Sequence, residues 1–598
     1  MNELNLLLSE KRTTLQKLNK KLTLLGWTRV LIFLAIAYFL LQYFIFESGV
    51  QIHLYFAIFL TLAFFVFGYF LLKVKEKVQF YKNYLHIGAE IITKTEFETG
   101  LGVEEDFDEH PFAKDLDILG KNSLFSYLNY GETSLGKAKL KDFLLNLSVE
   151  TVQIILRQKS IAELSKKTSW NIHFLTLAKS MEIGGEIKHP DNAKTVFISP
   201  LLGKIATIAV PVLTFGTLIL ALFTAISGAV IGLLFAGIFI ISRIVLYIYH
   251  RKMQALEEKL SFNSAQYEQF LNVFAHIEKE NFTEGLNQTL QNKLRSGRSK
   301  SSRKEIEKLA RLLRNYESGQ SNIGLILNNF FLWNLNFTLK IEKQFEAIGE
   351  DLPFWFEAFA EFEALISLAL FRFKNPDYIL PEVNDGSFKF KAKDLVHPLL
   401  FQPHVVVVSN DFTIGQHTEI SIVTGANMTG KSTFLRTVGI NLVLAMAGCP
   451  VAAREFSFMP MQLFTSMRTS DSLSDGTSYF NAEILRLRKL VENLEKGEPQ
   501  FIILDEILKG TNSQDKLAGS ELFLEKLMKS KALFSCLIAT HDLDLTKIED
   551  RFPSKIKNYC FELQNINGEL ETDYQLQNGV TKSMNAIYLM RKFGIIDP

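Results

Sequence analysis

The chain has 598 residues, 47% of them hydrophobic and 22% charged, with a formal net charge of +1. That length suggests several domains, and the near-neutral balance carries no message about nucleic acid, so any such affinity is to be sought in local patches. The three cysteines, Cys449, Cys536 and Cys560, share no metal-ligand spacing, which fits a reduced, cytosolic setting.

Residues 1–26 read as a charged, helix-like segment. Val30 to Phe46, Leu54 to Leu72 and Ile205 to Ile226 carry no charged residue, and a fourth apolar stretch, Ser227 to Ser242, continues past Arg243 as Ile244 to Tyr249. Roughly 17 to 25 apolar residues is what a bilayer core asks of a helix, which predicts transmembrane hairpins at 27–72 and 204–250. Buried core helices are the alternative, and the flanks weigh against them. The turns Glu47 to His53 and Ser227-Gly228 lack Lys and Arg, whereas Lys11, Arg12, Lys17, Lys20, Lys21 and Arg29 precede the first hairpin and Lys73, Lys75 and Lys77 follow it. Lys204 precedes the second, and Arg251 and Lys252 follow. The positive-inside rule then places the soluble segments in the cytoplasm. Arg243 is close enough to that side to snorkel. A cleavable signal peptide fits poorly behind about thirty charged, helix-like residues, so the anchor is expected to be retained.

Helical segments are expected at 78–203 and 251–375. Glu104 to Glu109 is an acidic run suited to an exposed linker. Lys293 to Lys304 holds six cations and no acid, followed by a helix-like stretch from Glu305 to Arg314. Such a segment can bind nucleic-acid phosphates or anionic lipid headgroups, or simply be a solvated loop between two helices.

The C-terminal part, 376–598, carries the chemistry. An apolar run, Glu419 to Val423, leads into Thr424-Gly425-Ala426-Asn427-Met428-Thr429-Gly430-Lys431-Ser432-Thr433 and then a helix-like stretch. In that context the segment reads as a phosphate-binding P-loop. Gly425 and Gly430 let backbone N–H groups curl around phosphates, Lys431 reaches the β and γ oxygens, and the Ser432 hydroxyl can ligate Mg²⁺ at a helix N-terminus. Phe501 to Leu504 resembles a buried parallel strand delivering Asp505, a metal ligand through water, and Glu506, able to polarise the attacking water. Leu537 to Thr540 is another short strand, ending at His541 where an imidazole can contact the γ-phosphate. Alone, Asp505-Glu506 reads equally as a solvated pair and His541 as a loop histidine; the P-loop upstream gives them a common purpose.

Gly425 to Thr433, the segment Asp471 to Phe480, the run Leu504 to Ser513, and Ala539-Thr540-His541 resemble, in order and spacing, the four ATPase motifs of the MutS family of DNA mismatch-repair proteins. The resemblance implies an ABC-type ATPase in which two nucleotide-binding domains face each other and a signature serine, here Ser478, completes the partner's site. It implies Gly510 to Ser513 as the loop after the second acid. Ala426 stands where many members have proline. Weaker likeness covers Ser123 to Asn129, Thr133 to Gly136, Arg157 to Ile161 and Phe362 to Ala369, similar to the family's core and lever, and His397-Pro398 with Asn410-Asp411, similar to its lead-in to the ATPase.

The departures are informative. About forty residues separate the first hairpin from the core, too few for a mismatch-reading domain, and Phe107-Asp108-Glu109 matches that domain's Phe-x-Glu wedge by chance, since acidic neighbours would repel phosphate. The DNA clamp has at most a short counterpart between Arg251 and Phe345. The family's C-terminal helical extension is not expected beyond Ser583.

The expected architecture is therefore an α/β P-loop (ABC-type) ATPase domain at the C-terminus, joined to an all-α core and lever region with two transmembrane helical hairpins. The resemblance implies ATP hydrolysis with Mg²⁺, a homodimer, and DNA binding in a repair-related or DNA-structure-sensing role. An ATP-driven switch at the membrane, regulating a protein or lipid partner without DNA, is the alternative. A transporter is disfavoured, because the four helices lack midplane polar groups and interrupted segments.

Overall fold

The structure, a computed structural model, describes residues 2–45, 51–93, 110–182, 200–223, 226–259, 263–295, 302–384, 388–400, 407–415, 417–467, 479–509, 511–566, 569–582 and 595–596. The acidic run 104–109 therefore lies outside the described residues, as do 296–301 of the basic segment.

The chain opens with α1 (Asn2–Ile45) and α2 (Gln51–Thr93), an antiparallel pair with Leu8 against Gly88, the Arg29 guanidinium 4.2 Å from the Phe64 ring centre, and Phe39 stacked on Phe56 at 5.5 Å. A Cβ at Gly88 would overlap Leu8, so that glycine sets how closely the two helices approach. Toward the turn the pair exposes Leu31, Phe33, Phe59, Leu62 and Phe65, while its other end buries Leu4, Leu8, Val78, Tyr84, Ile87 and Ile91. Helix α2 runs unbroken through residues 72–78, where the sequence reading ends a hairpin, because that stretch contains no helix breaker.

The helical body follows: α3 (Leu124–Leu128), α4 (Ser134–Leu145), α5 (Thr151–Ser165) and α6 (Thr168–Glu182). A second apolar pair, α7 (Pro200–Phe223) and α8 (Gly228–Lys259), comes next, then α9 (Ser264–Lys279), α10 (Gly285–Arg295), α11 (Ser302–Ser318), α12 (Asn322–Phe331), α13 (Trp333–Ile348) and α14 (Leu352–Lys374). All four helices of the two apolar pairs are long and apolar enough to cross a membrane. Helix α14 is the axis of the body: Trp355, Phe356, Phe359, Phe362, Leu365, Leu368 and Phe371 are all buried as it packs on α4, α5 and α10. Its Glu363 carboxylate is buried as well, accepting the N–H groups of Glu132 (2.6 Å) and Thr133 (2.9 Å) and the Thr133 hydroxyl. Burial pushes that carboxyl up to about 7. Thr133 in turn caps α4 by accepting from Gly136 N at 3.1 Å. A separate apolar cluster, Val210, Ile238, Tyr249, Leu332 and Leu335, joins α7 and α8 to the start of α13.

The C-terminal part has two sheets. The first has the order β1 (Glu382–Val383), β5 (Glu455–Phe458), β2 (Phe388–Leu395), β3 (Asn410–Gly415). The second runs β10 (Glu569–Asn578), β9 (Ile556–Ile566), β4 (Ile420–Gly425), β8 (Phe534–Ala539), β7 (Gln500–Asp505), β6 (Gln462–Ser466), all parallel except β10. Helices α15 (Lys431–Met446), α16 (Tyr479–Glu495), α17 (Ser513–Met528) and α18 (Ile548–Arg551) complete it. The central strands are buried on both faces, which is why they read as continuous apolar runs. Val423, Ile503 and Leu537 join the core under α15, while Ile422, Ile502 and Ile538 point to the other side with Leu487 of α16 and Leu524 of α17. Asp115 fastens the segment before α3 to this domain, accepting from the Thr465 hydroxyl (2.6 Å) and pairing with Arg486 (3.2 Å). Asp117 pairs with Arg436 of α15 at 3.1 Å.

Candidate active site

Strands β4, β7 and β8 lie side by side and end at one edge, so the turns leaving them converge there. Two crossed hydrogen bonds lock the ends in register: Thr540 N donates to Val423 O and Glu506 N to Ala539 O, each at 3.0 Å. This brings loop 425–430, Asp505, Glu506 and His541 together.

The loop needs its glycines for distinct reasons. Gly425 has φ +152°, and a Cβ there would lie 2.8 Å from Thr429 Oγ1 and 2.9 Å from the Phe561 carbonyl. Gly430 has φ +101°, with the Tyr574 ring 3.1 Å from the position of a Cβ. Both conditions oppose any side chain. Thr429 is buried and its hydroxyl donates to Ala426 O at 2.8 Å, whereas Met428, at φ +67°, stands in solvent. Helix α15 then begins, and the N–H groups of Lys431, Ser432 and Thr433 have no partner within the helix, which makes its first turn a ready anion site.

Lys431 is buried, its Nζ donating to Gly425 O (2.8 Å) and Ala426 O (2.9 Å) and lying 3.4 Å from His541 Nε2. Burial lowers its pKa, and the charges of Asp505 and Glu506 oppose that shift. Ser432 Oγ donates to Asp505 Oδ2 at 2.6 Å. His541 Nε2 and Glu506 Oε1 are 2.9 Å apart, and that hydrogen bond holds the Glu506 carboxyl down to about 2 against its partial burial. Glu506 and Leu508 both sit at positive φ, +54° and +60°, a conformation costly for side chains of their size. Glu483 of α16 holds the turn by accepting Leu508 N at 2.8 Å. Ser432 Oγ and Asp505 Oδ2 are hard oxygen donors side by side, the set a divalent cation such as Mg²⁺ takes.

Beside Gly430 opens a cavity of about 190 Å³ whose lining includes His397, Asn410, Phe434, Phe561 and Tyr574. Asn410 fixes the Tyr574 turn, its amide donating to Tyr574 O at 3.0 Å and its Oδ1 accepting Leu576 N at 2.6 Å. Sequence reading singles out His397 and Asn410 but misses Tyr574, whose only mark is being the lone aromatic in the polar run Glu569 to Asn578. Ser478 and Gly510 lie outside the described residues. The basic segment is partly described: Arg295 donates to Glu278 O at 2.7 Å, Arg303 lies 3.7 Å from the Glu278 carboxylate, and Ser302 hydrogen-bonds Leu294 O.

Residues 421–596 match the family model for MutS domain V. Over 220 residues the chain is 30% identical to the DNA mismatch repair protein MutS of Persephonella marina, covering 36% of this chain and 24% of that protein. It is 30% identical over 187 residues to MutS of Bacillus subtilis, covering 30% and 21%. It is 28% identical over 243 residues to DNA mismatch repair protein MutS 2 of Halobacterium salinarum, covering 40% and 27%. The chain thus spans about a quarter of the length of the curated relatives it matches.

Proposed function

We propose, from the likeness of its C-terminal part to MutS domain V, that this chain is a MutS-family, membrane-anchored, Mg²⁺-dependent ATPase of the P-loop class, acting as a homodimer. The observation that supports it best is the contiguous set at the strand ends, Ser432 on Asp505 and Lys431 beside the His541–Glu506 pair. Loop 425–430 and the first turn of α15 hold the phosphates, and Lys431 turns from the loop carbonyls to the β and γ oxygens. Ser432 and Asp505 would hold Mg²⁺, which when bound offsets phosphate charge. Glu506, kept ionised by His541, orients the attacking water and takes its proton. The cavity under Tyr574 takes the nucleotide base. Ser478 completes the partner's site. Lys431→Met is the direct test: it should abolish ATP binding by the detergent-purified protein, and unchanged affinity would remove the loop from this role.

The relatives' names support a DNA-directed output, repair-related or structure-sensing, with contacts to phosphates rather than bases. Binding should then be indifferent to a mismatch and weaken steeply with salt. Alanine at Arg295, Arg298, Lys300 and Arg303 should flatten the salt slope by about two to four units, the lower figure because Arg295 and Arg303 already engage Glu278. The second reading, an ATP-driven membrane switch without DNA, draws on the packing of Leu332 and Leu335 against Val210 and Ile238. No binding to duplex, branched or single-stranded DNA at low salt would leave that reading in place of the first.

A further inference from the structure

Ser318 to Leu339 contains no charged residue, a run of 22 between Glu317 and Lys340, yet it holds five asparagines and so lacks the hydropathy of a membrane span. It comprises the last residue of α11, the turn after it, helix α12 and the first turns of α13. Helix α12 leans on α7 and α8 at considerable height. The Thr214 hydroxyl donates to Phe330 O at 2.8 Å, Phe331 lies 5.6 Å from Phe215, and Phe330 lies 5.9 Å from Phe235, ring centre to ring centre. Thr214 stands ten residues beyond Lys204, about 15 Å along the helix, which is half of a hydrocarbon core of about 30 Å. Lower down, buried Lys252 pairs with Glu342 of α13 at 3.0 Å, and this ion pair marks the cytoplasmic level.

The outward face of α12 is apolar: Ile323, Leu325 and Ile326 are 69%, 64% and 60% exposed. Helices α7 and α8 likewise expose apolar side chains, among them Val212, Leu234 and Phe215, the last of which lies against Phe331 of α12. Gln320, Ser321 and Asn322 at the turn before α12 are exposed, whereas the polar groups farther along the segment turn inward. Asn328 Nδ2 donates to Gly319 O (2.9 Å), Asn328 Oδ1 accepts Asn334 N (2.8 Å), and Trp333 Nε1 donates to Asn315 O (2.7 Å). Phe330 O, one of the end carbonyls a helix leaves open, is taken by Thr214. Backbone away from regular helix is tolerated at membrane depth only where protein satisfies it in this way.

We infer that residues 319–335 form a re-entrant segment seated in the same bilayer as α7 and α8, with Ile323, Leu325 and Ile326 facing lipid acyl chains. This rests on the membrane reading of the two apolar pairs. It makes the turn between α11 and α13 a membrane mooring, at the place where the sequence reading looks for a DNA clamp.

The test is spin-label accessibility in lipid nanodiscs. The three native cysteines are buried, so labels report introduced sites: Ile326→Cys, Phe215→Cys as a span control and Arg311→Cys as an aqueous control on α11. At 326 and 215 the label should be several-fold more accessible to oxygen than to a water-soluble nickel chelate, with the reverse at 311. An aqueous signature at 326 alone overturns the mooring and leaves the spans standing. An aqueous signature at both 326 and 215 overturns the spans with it. Shielding of 326 from both reagents means that protein rather than lipid covers α12, which also overturns the inference.

Discussion

Replacing Glu506 by glutamine isolates the proposed base from everything else at the site. Glutamine has the same shape, can adopt the same backbone turn at φ +54°, and its carbonyl oxygen can keep the 2.9 Å contact with His541 Nε2. ATP affinity should therefore stay within about threefold, since the proposed phosphate holders are loop 425–430 and Lys431. What disappears is a carboxylate able to accept the proton of water. A positioned general base contributes about 10²- to 10⁴-fold, equivalent to about 2.7 to 5.4 kcal/mol at 1.36 kcal/mol per decade. Single-turnover release of γ-phosphate, measured with protein in excess over ATP, reads that step without product release. Because the carboxyl is held down to about 2, the parent keeps it ionised through any practical pH range. An acid limb of the rate profile must then come from another group and should persist in the residual activity of the variant. A single-turnover rate within threefold of the parent would refute the assignment of Glu506 as base.

Tyr574→Ala should weaken ATP binding about tenfold, because a base stacked on an aromatic ring is worth about 1–3 kcal/mol, while Tyr574→Phe should bind as the parent does; equal affinities in a fluorescent-nucleotide titration would place the base elsewhere. Glu363 gives a stability signature of the opposite sign to an ordinary carboxylate. Its folded pKa, about 7, exceeds the usual 4.5 of the free group, so its contribution is complete below about 4.5 and is lost as pH rises through 7. Melting temperature should fall between pH 5 and pH 8, and Glu363→Gln, which imitates the protonated acid, should flatten that fall; an unaltered slope would show that Glu363 is not its source. Mixing Lys431→Met protomers with Ser478→Arg protomers should restore part of the ATPase activity, as one composite site then keeps both groups, and a verified heterodimer with none would argue for a site built within one chain.

The strand arrangement behind the candidate site was readable because buried parallel strands announce themselves. Ile420 to Val423, Phe501 to Leu504 and Leu537 to Ala539 are unbroken apolar runs, and the polar residues that end them must emerge at one edge of a parallel sheet. Tyr574 was not readable in that way. It reaches Gly430 through the antiparallel pairing of β10 on β9, with a register shift between Thr572 and Leu576, and no local pattern encodes where a shifted strand directs one ring. The two weakly similar segments Thr133 to Gly136 and Phe362 to Ala369 meet through Glu363, a long-range contact that periodicity alone would not pair. The segment around helix α12 escaped for a compositional reason: asparagines at 322, 328 and 329 in α12 and at 334 and 336 in α13 dilute its hydropathy, although the Asn328 side chain finds both partners, Gly319 O and Asn334 N, within the same segment.

Helix α2 is a single rod of 43 residues, about 65 Å at 1.5 Å per residue. Its apolar half ends near Leu72, so on the proposed membrane-anchored reading about 30 Å of the same rod would stand clear of the bilayer before Thr93, the part that seats Tyr84, Ile87 and Ile91 in the helical body. Without a joint between anchor and body, the tilt of one sets the tilt of the other. Two copies inserted with the same sidedness can then be related only by a twofold axis along the membrane normal. On that reading, encounter between protomers would become a search in two dimensions, over lateral position and a single rotation, and the surface density of the protein, rather than its bulk concentration, would set how often the proposed paired sites form.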